Sequence, residues 1–246
     1  MSNFFCLAGV AQGYAAARPF FHTKVVDSMF RRLGVDALDR VLDIGCGTGL
    51  STRALAGRAR MNVGIDLSLA MLTLAWRGDG ISYVAAVAET LPFADGAFDA
   101  ITAAGAIDWV DREQFLPEAR RVLKPGGWLL IYDIGETGEM EDEPRFAHWH
   151  REMLADFPRP PRRDVNVTAE EAARHGFKWL ARERYELGLP FSADGYIAFS
   201  ETQSNIVVAR ERGAPVGARL DSVREMFGGE RRVRFAGYMH FLVVGP

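Results

Sequence analysis

Cysteine is scarce: Cys6 and Cys46 are the only two in 246 residues, which excludes a disulfide framework and fits a reducing compartment. Positive charge is not in excess, with 29 Lys and Arg against 32 Asp and Glu and a net charge of -3, so long-range attraction to phosphate backbones or anionic lipid is missing. No apolar run approaches the ~20 residues that span a bilayer. The stretch Phe4 to Val10 is short and has no preceding Lys or Arg, unlike a signal peptide. These absences predict a soluble, cytoplasmic chain with neither a membrane nor a nucleic-acid partner. No metal-ligand spacing and no internal repeat is visible. What is present is ordinary for a globular protein, 48% hydrophobic and 25% charged, enough for a sizeable core. At roughly 150 residues per domain, the length predicts one domain with an elaboration.

Along the chain, Arg40 to Ile44, Met61 to Ile65, Ile81 to Ala86, Phe98 to Ala103 and Gly127 to Ile134 are short apolar or β-branched runs. They read as strands buried on both faces. Amphipathic segments at Leu50 to Ala56, Ser68 to Trp76 and Asp111 to Leu123 lie between them, the βαβα rhythm of a doubly wound parallel sheet whose ligand sits at the carboxyl ends of the strands. An acidic patch, Glu136 to Glu143, and the Pro/Arg stretch 158–163 mark a change of style. Beyond them, helices are expected at Pro144 to Phe157, Thr168 to His175, Ser192 to Asn205 and Val216 to Phe227. Closing strands are expected at Phe177 to Leu187 and Arg231 to Val244, the latter interrupted by Gly237.

The strongest local signal is Val41-Leu-Asp-Ile-Gly-Cys-Gly-Thr-Gly49, a strand running into alternating glycines and then a helix. Glycines at 45, 47 and 49 allow a sharp turn and close approach of backbone to a ligand. A nicotinamide fingerprint needs glycine at 50, where this chain has Leu50. Asp43, a carboxylate beside the loop, suits a cationic ligand better than a pyrophosphate. Asp66, ending the second strand, stands where a carboxylate accepts hydrogen bonds from both hydroxyls of a ribose; a solvated surface aspartate is the plain alternative.

With VLDIGCGTG as its first motif and Asp66 as the acidic second, the chain resembles the class I S-adenosylmethionine-dependent methyltransferases, in particular their small-molecule, type 11-like branch. The likeness extends to Ala88-Glu-Thr-Leu-Pro-Phe93, Phe98-Asp-Ala-Ile101 and Arg121-Val-Leu-Lys-Pro-Gly-Gly127, roughly residues 40 to 134. The resemblance implies an α/β fold of seven mostly parallel strands as a single methyltransferase domain, 1–246. Within it, 36–134 would hold the cofactor, and 1–35 and 140–230 would supply a helical lid, acceptor-side helices and closing strands. S-adenosylmethionine is the implied cofactor. The implied contacts are Asp43, Gly45, Cys46, Gly47, Asp66, Leu67, Met71, Ala88, Glu89 and Ala104. Tyr14 and Arg18, in Tyr14-Ala-Ala-Ala-Arg-Pro19, are similar to a pair that closes over the methionine end of the cofactor; a packed tyrosine and a capping arginine are the alternative. Two departures stand out: Val87 replaces an aspartate that bonds the adenine amino group, and Asp108-Trp109 replaces a His-Trp pair.

Methyl transfer depends chiefly on alignment, and a hydroxyl or ammonium acceptor also needs a positioned base. Asp108 is one candidate, with a helix N-cap as its plain reading. His148 is another; it and His150 lie two apart, so at most one points into a site. Trp109, Phe146, Trp149, Phe191, Tyr196 and Phe199 could cover a pocket or form core. Nucleic acid is disfavoured further by the absence of the motif that grips a flipped base and by seven arginines set against four acids from Arg210 to Arg234. A small-molecule acceptor is expected, its identity open. The rivals are a protein that binds the cofactor without transferring methyl and, on the shared sheet alone, a nicotinamide-dependent oxidoreductase.

Overall fold

The computed structural model describes residues 8–245; Cys6 and the beginning of the Phe4 to Val10 stretch lie outside them. Seven strands form one sheet in the order β3-β2-β1-β4-β5-β7-β6. They are β1 (Leu38–Ile44), β2 (Ala59–Asp66), β3 (Ile81–Ala85), β4 (Phe98–Ala104), β5 (Leu123–Met140), β6 (Phe177–Phe191) and β7 (Arg231–Val244). β1 to β5 are parallel. β7 is reversed: Gly245 N donates to Gly176 O and Glu141 N to Arg232 O, while Arg232 Nη1 donates to Gly188 O at 2.8 Å. The doubly wound expectation is therefore met.

The chain divides into two compact units. The glycine-loop unit comprises Phe20–Asp133, Arg162–Arg184 and Tyr238–Pro246, and the aromatic unit Met1–Pro19, Ile134–Pro161 and Tyr185–Gly237.

In the glycine-loop unit, α2 (His22–Leu33) buries His22, Val25, Val26, Met29 and Phe30, the spacing of one helical face. It ends at Gly34 in the left-handed conformation. α3 (Leu50–Ala54) and α4 (Leu69–Thr73) are a turn or so each. α5 (Arg112–Val122) is capped by Asp111, which accepts from Glu113 N at 3.1 Å, and lays Phe115, Leu116, Ala119 and Val122 inward. α5, with Ala172 of α7 (Ala169–Arg174), packs on a core of Leu42, Ile44, Ile65, Ile101, Leu129, Ile131 and Leu242.

In the aromatic unit, α1 (Ala8–Ala17), α6 (Arg145–Asp156), α8 (Ala193–Glu201), α9 (Ser204–Glu211) and α10 (Val216–Asp221) accompany the far parts of β5, β6 and β7. Phe146, Trp149, Phe191, Tyr196, Phe199 and Phe235 form its core, so the aromatics expected either to cover a pocket or to be core are core, Trp109 excepted.

Several boundaries differ from expectation for physical reasons. β5 runs through the acidic patch to Met140, with Thr137 and Glu139 exposed and Gly138 and Met140 buried; pairing with β7 overrides composition. Gly237 does not interrupt β7. The expected helix Ser192 to Asn205 is two helices, broken where Thr202 Oγ1 turns back onto Phe199 O at 2.6 Å. The expected helix Val216 to Phe227 ends at Asp221 and continues as a 3-10 turn. No helix of the described residues is long and apolar enough to cross a membrane.

His22 is buried beneath this fold with Nδ1 3.0 Å from Tyr132 Oη, and burial holds its pKa down to about 3 against an ordinary 6.5. Between those values the unfolded chain binds a proton that the folded chain refuses, so stability falls as pH drops below about 6.5, by up to about 1.4 kcal/mol per pH unit. Urea unfolding from pH 7.5 to 4.5 should show this slope, and His22→Gln should flatten it. An equal slope in the variant would contradict the assignment.

Candidate active site

The loop after β1 rests on Asp43. Its side chain has no exposure, and three hydroxyls donate to it: Ser51 and Thr52 of α3 at 2.6 Å on Oδ2 and Thr102 at 2.7 Å on Oδ1. Thr102 is its register partner on β4, so the strand pairing itself delivers that hydroxyl. Burial pushes the Asp43 carboxyl up, and the hydroxyl bonds pull it back. The expectation that Asp43 contacts a ligand is corrected: strand and helix close over it, and it fixes the loop from below.

Above it, Gly45, Gly47 and Gly49 all have left-handed φ, 63°, 53° and 78°. A Cβ at Gly45 would lie 2.7 Å from Ala106 Cβ, and one at Gly49 would collide with Tyr83 Oη. The backbone thus runs too close to its neighbours for side chains. Cys46 is also corrected: it is buried, its N–H donates to Ile65 O at 2.9 Å, and its Sγ sits under the loop beside Gly64. Burial pushes its thiol well up.

Asp66 closes the loop from the neighbouring strand. Its Oδ2 accepts from Gly47 N at 2.9 Å and its Oδ1 from Ser68 N at 2.8 Å. The carboxylate retains lone-pair capacity beyond these bonds, and the side chain is partly exposed. Burial raises its pKa, countered by backbone N–H groups of Ser68, Gly47 and Leu67. Beside it, Leu67 is 57% exposed and Val87, after β3, is 39% exposed. These are two apolar side chains standing in water at the carboxyl ends of adjacent strands. Met71 and Ala88 are buried and Ala104 is half-buried. Glu89 takes a structural part: its Oε1 accepts from Asp111 N at 2.8 Å, ahead of α5.

The donor set fits S-adenosylmethionine. An acid with spare lone pairs suits ribose hydroxyls, flanking apolar side chains suit an adenine, and a glycine cradle admits the methionine chain. Thr48 Oγ1, buried in the same loop, has no hydrogen-bond partner among the described residues.

On the acceptor side, Asp108 is 2% exposed and Arg162 Nη1 donates to its Oδ2 at 2.9 Å. It is not a helix N-cap, since Asp111 caps α5. Arg162 also lies over the Trp109 ring at 4.9 Å. His148, expected as a possible base, is corrected: its side chain is 69% exposed on α6 and its Nε2 pairs with Glu152 Oε1 at 3.1 Å. Of the two histidines it is His150 that points inward, buried with Nε2 3.7 Å from Glu136 Oε2, while Tyr196 Oη donates to Glu136 Oε1 at 2.7 Å. Phe146, Trp149, His150 and Met153 are the buried face of α6, so helical spacing alone separates His150 from His148. Tyr14 and Arg18 come together in the aromatic unit, where the guanidinium lies 4.6 Å from the Tyr14 ring and 5.2 Å from Phe199 and donates to Thr202 O at 3.0 Å. That is the packed arrangement posed as their alternative.

The profile of the methyltransferase domain family matches residues 42–131. The chain is 38% identical over 128 residues to the methyltransferase GfsG of Streptomyces halstedii, covering 48% of this chain and 46% of that protein. It is 43% identical over 125 residues to the demethylmenaquinone methyltransferase of Corynebacterium urealyticum, covering 50% and 52%. The chain thus spans about half the length of the curated relatives it matches. A solved structure assigned as a type II methyltransferase from Anaeromyxobacter dehalogenans superposes with a TM-score of 0.64 at 24% identity over 89% of this chain and 96% of that one, a likeness of fold. Residues 42–131 thus match a methyltransferase domain, and members of this type use S-adenosylmethionine as methyl donor.

Removing the carboxylate under the loop should cost stability before it costs chemistry. Asp43→Ala leaves three buried hydroxyls without their acceptor and is expected to lower unfolding free energy by on the order of 3 kcal/mol, read by urea denaturation without cofactor. A loss below about 1 kcal/mol would show that the loop does not depend on Asp43.

Proposed function

We propose that the protein is a methyltransferase acting in the cytoplasm on a small-molecule acceptor, with S-adenosylmethionine bound over the glycine loop and no nucleic-acid substrate. The observation that carries this reading is Asp66, tied to Gly47 N and Ser68 N yet with lone pairs left over, between exposed Leu67 and Val87. Relatives named for methyl transfer, one of them for demethylmenaquinone, support an organic small molecule as acceptor.

When bound, S-adenosylmethionine supplies a methyl group activated by a sulfonium. This chain's own residues do the rest. Asp66 accepts from the ribose hydroxyls and so fixes the cofactor's middle. Leu67 and Val87 cover the faces of the adenine, whose burial removes apolar surface from water. The glycine loop, held rigid by Asp43 and its hydroxyls, brings backbone against the remainder without paying ordering entropy at binding. Alignment of methyl and acceptor then supplies much of the acceleration.

The second reading, binding without transfer, draws on Asp108 being engaged by Arg162 and His148 lying at the surface. Turnover of any small-molecule acceptor would remove it.

Titration calorimetry with S-adenosylhomocysteine tests the first reading. Binding is expected, and Asp66→Ala should weaken it by about 1 to 3 kcal/mol. Because the Asp66 pKa is raised, wild-type affinity should be full while the carboxylate is ionised. It should fall as the pH drops through a pKa raised above that of an ordinary aspartate, since protonation removes an acceptor. The variant should show no such fall. Absence of binding, or an affinity indifferent to Asp66, would overturn the site.

A further inference from the structure

Among the buried polar atoms of the glycine-loop unit that have no hydrogen-bond partner among the described residues are Asp108 Oδ1, Tyr238 Oη and His240 Nε2. Unpaired buried polar atoms are rare in folded proteins and call for an account. The chemistry of each can be assigned. Trp179 Nε1 lies 3.4 Å from His240 Nδ1; an indole N–H only donates, so Nδ1 is the acceptor, and in a neutral ring the proton sits on Nε2. The ring is neutral, because burial, then the charges of Arg182 and Arg112, hold its pKa down to about 4. His240 therefore offers an unused N–H donor. Tyr238, two residues earlier on the same face of β7, has its ring 5.3 Å from that of His240. Burial and the charges of Asp133 and Asp108 push its phenol up, so it stays protonated and can also donate. Asp108 Oδ1 is an unused acceptor.

These atoms belong next to the cofactor loop. Ala106 touches Gly45, and a Cβ at Gly105 would sit 3.1 Å from Asp133 Oδ1, so the segment carrying Asp108 leaves directly from the loop at the carboxyl ends of β4 and β5. Tyr238 lies on β7, the neighbour of β5 in the sheet, and the charges of Asp133 and Asp108 act on its phenol. None of the three residues is used in holding the cofactor.

We propose that Asp108, Tyr238 and His240 are the acceptor subsite, and that the acceptor is a neutral hydroxyl compound of the phenol or enol class. Its O–H donates to Asp108 Oδ1, and its oxygens accept from Tyr238 Oη and His240 Nε2. The proposal rests on the methyltransferase reading above. A carboxylate acceptor would set a second anion beside Asp108 and bring no proton for Oδ1. An ammonium would enter the field of Arg162, which lies on Asp108, and of Arg182, which lies 5.7 Å from the Tyr238 ring. A hydroxyl satisfies all three orphan atoms. When its O–H bond breaks, the proton bonds to Asp108 Oδ1 and the electron pair stays on oxygen as the nucleophile, in a field of guanidinium groups that favours the anion.

The test is NMR of the full chain labelled with 15N at tryptophan indoles, titrated with phenol, benzoate and benzylamine with and without S-adenosylhomocysteine. Phenol should move the Trp179 signal, whose N–H bonds His240, and the Trp109 signal, and bind at least about 10-fold tighter than either charged probe. Tyr238→Phe, nearly isosteric, should weaken phenol about 5-fold or more, about one hydrogen bond, with S-adenosylhomocysteine affinity unchanged. His240→Gln should do the same if the first variant unfolds. Equal binding of the three probes, shifts confined to other tryptophans, or phenol affinity unchanged in a folded variant would overturn the subsite while leaving the methyltransferase reading in place. Wild-type protein that binds phenol here but not S-adenosylhomocysteine would do the reverse.

Discussion

The glycine-loop unit depends on a carboxylate that no ligand can reach. Asp43 sits where β1 ends, and from there its two oxygens gather Ser51 and Thr52 of α3 and Thr102 of β4. A buried carboxylate is tolerable only if its charge is hydrogen-bonded, and these hydroxyls meet that demand while fastening three elements to one point. The loop above carries three alternating left-handed glycines, 45, 47 and 49. Gly47 N, aimed by that geometry, reaches across to Asp66. The shape of the glycine loop follows from a buried carboxyl group placed beneath it.

A second fastening explains why separate stretches of sequence belong together. Arg121 of α5 donates to Leu91 O and Phe93 O at 2.9 and 2.7 Å and pairs with Glu118 and Asp95, while Glu118 accepts from Leu91 N at 2.8 Å. The Ala88 to Phe93 stretch and the start of Arg121 to Gly127 are therefore one physical unit. Arginine suits the task because its planar fork serves several acceptors at once. Much of the Ala88 to Phe93 stretch is thus scaffold, and the exposed apolar side chain near Asp66 is Val87, just before it.

Much of the fold was legible because parallel strands buried on both faces announce themselves as apolar runs, and the first five strands lie where those runs are. The same property hid the role of Asp43. With Val41, Leu42 and Ile44 all buried around it, no alternation indicates which way a side chain at 43 points, and a carboxylate beside a glycine loop reads as a ligand contact. Asp66 was legible because it ends its strand. His150 could have been found from the helical spacing of Phe146, Trp149 and Met153, which places it and not His148 on the inner face. Tyr238 and His240 could not, because they lie more than a hundred residues beyond the motifs and join Asp108 only through the position of β7 beside β5.

What remains for chemistry is decided by subtraction. Near the carboxyl edge nearly every polar group is committed to holding the fold: Glu89 to Asp111 N, Arg112 to Glu171 at 2.7 Å, Arg162 to Asp108 Oδ2, Asp43 to its hydroxyls. Such commitments keep the edge rigid, and rigidity is what an alignment-driven reaction requires. They also make the exceptions informative. A folded chain seldom leaves a buried donor or acceptor idle, so the spare lone pairs of Asp66 and the idle atoms of Asp108, Tyr238 and His240 mark where the protein's hydrogen bonding is incomplete without a ligand. The first set calls for a diol and the second for a hydroxyl. Ala106 stands against Gly45 of the loop, so the segment that carries Asp108 starts directly beside it.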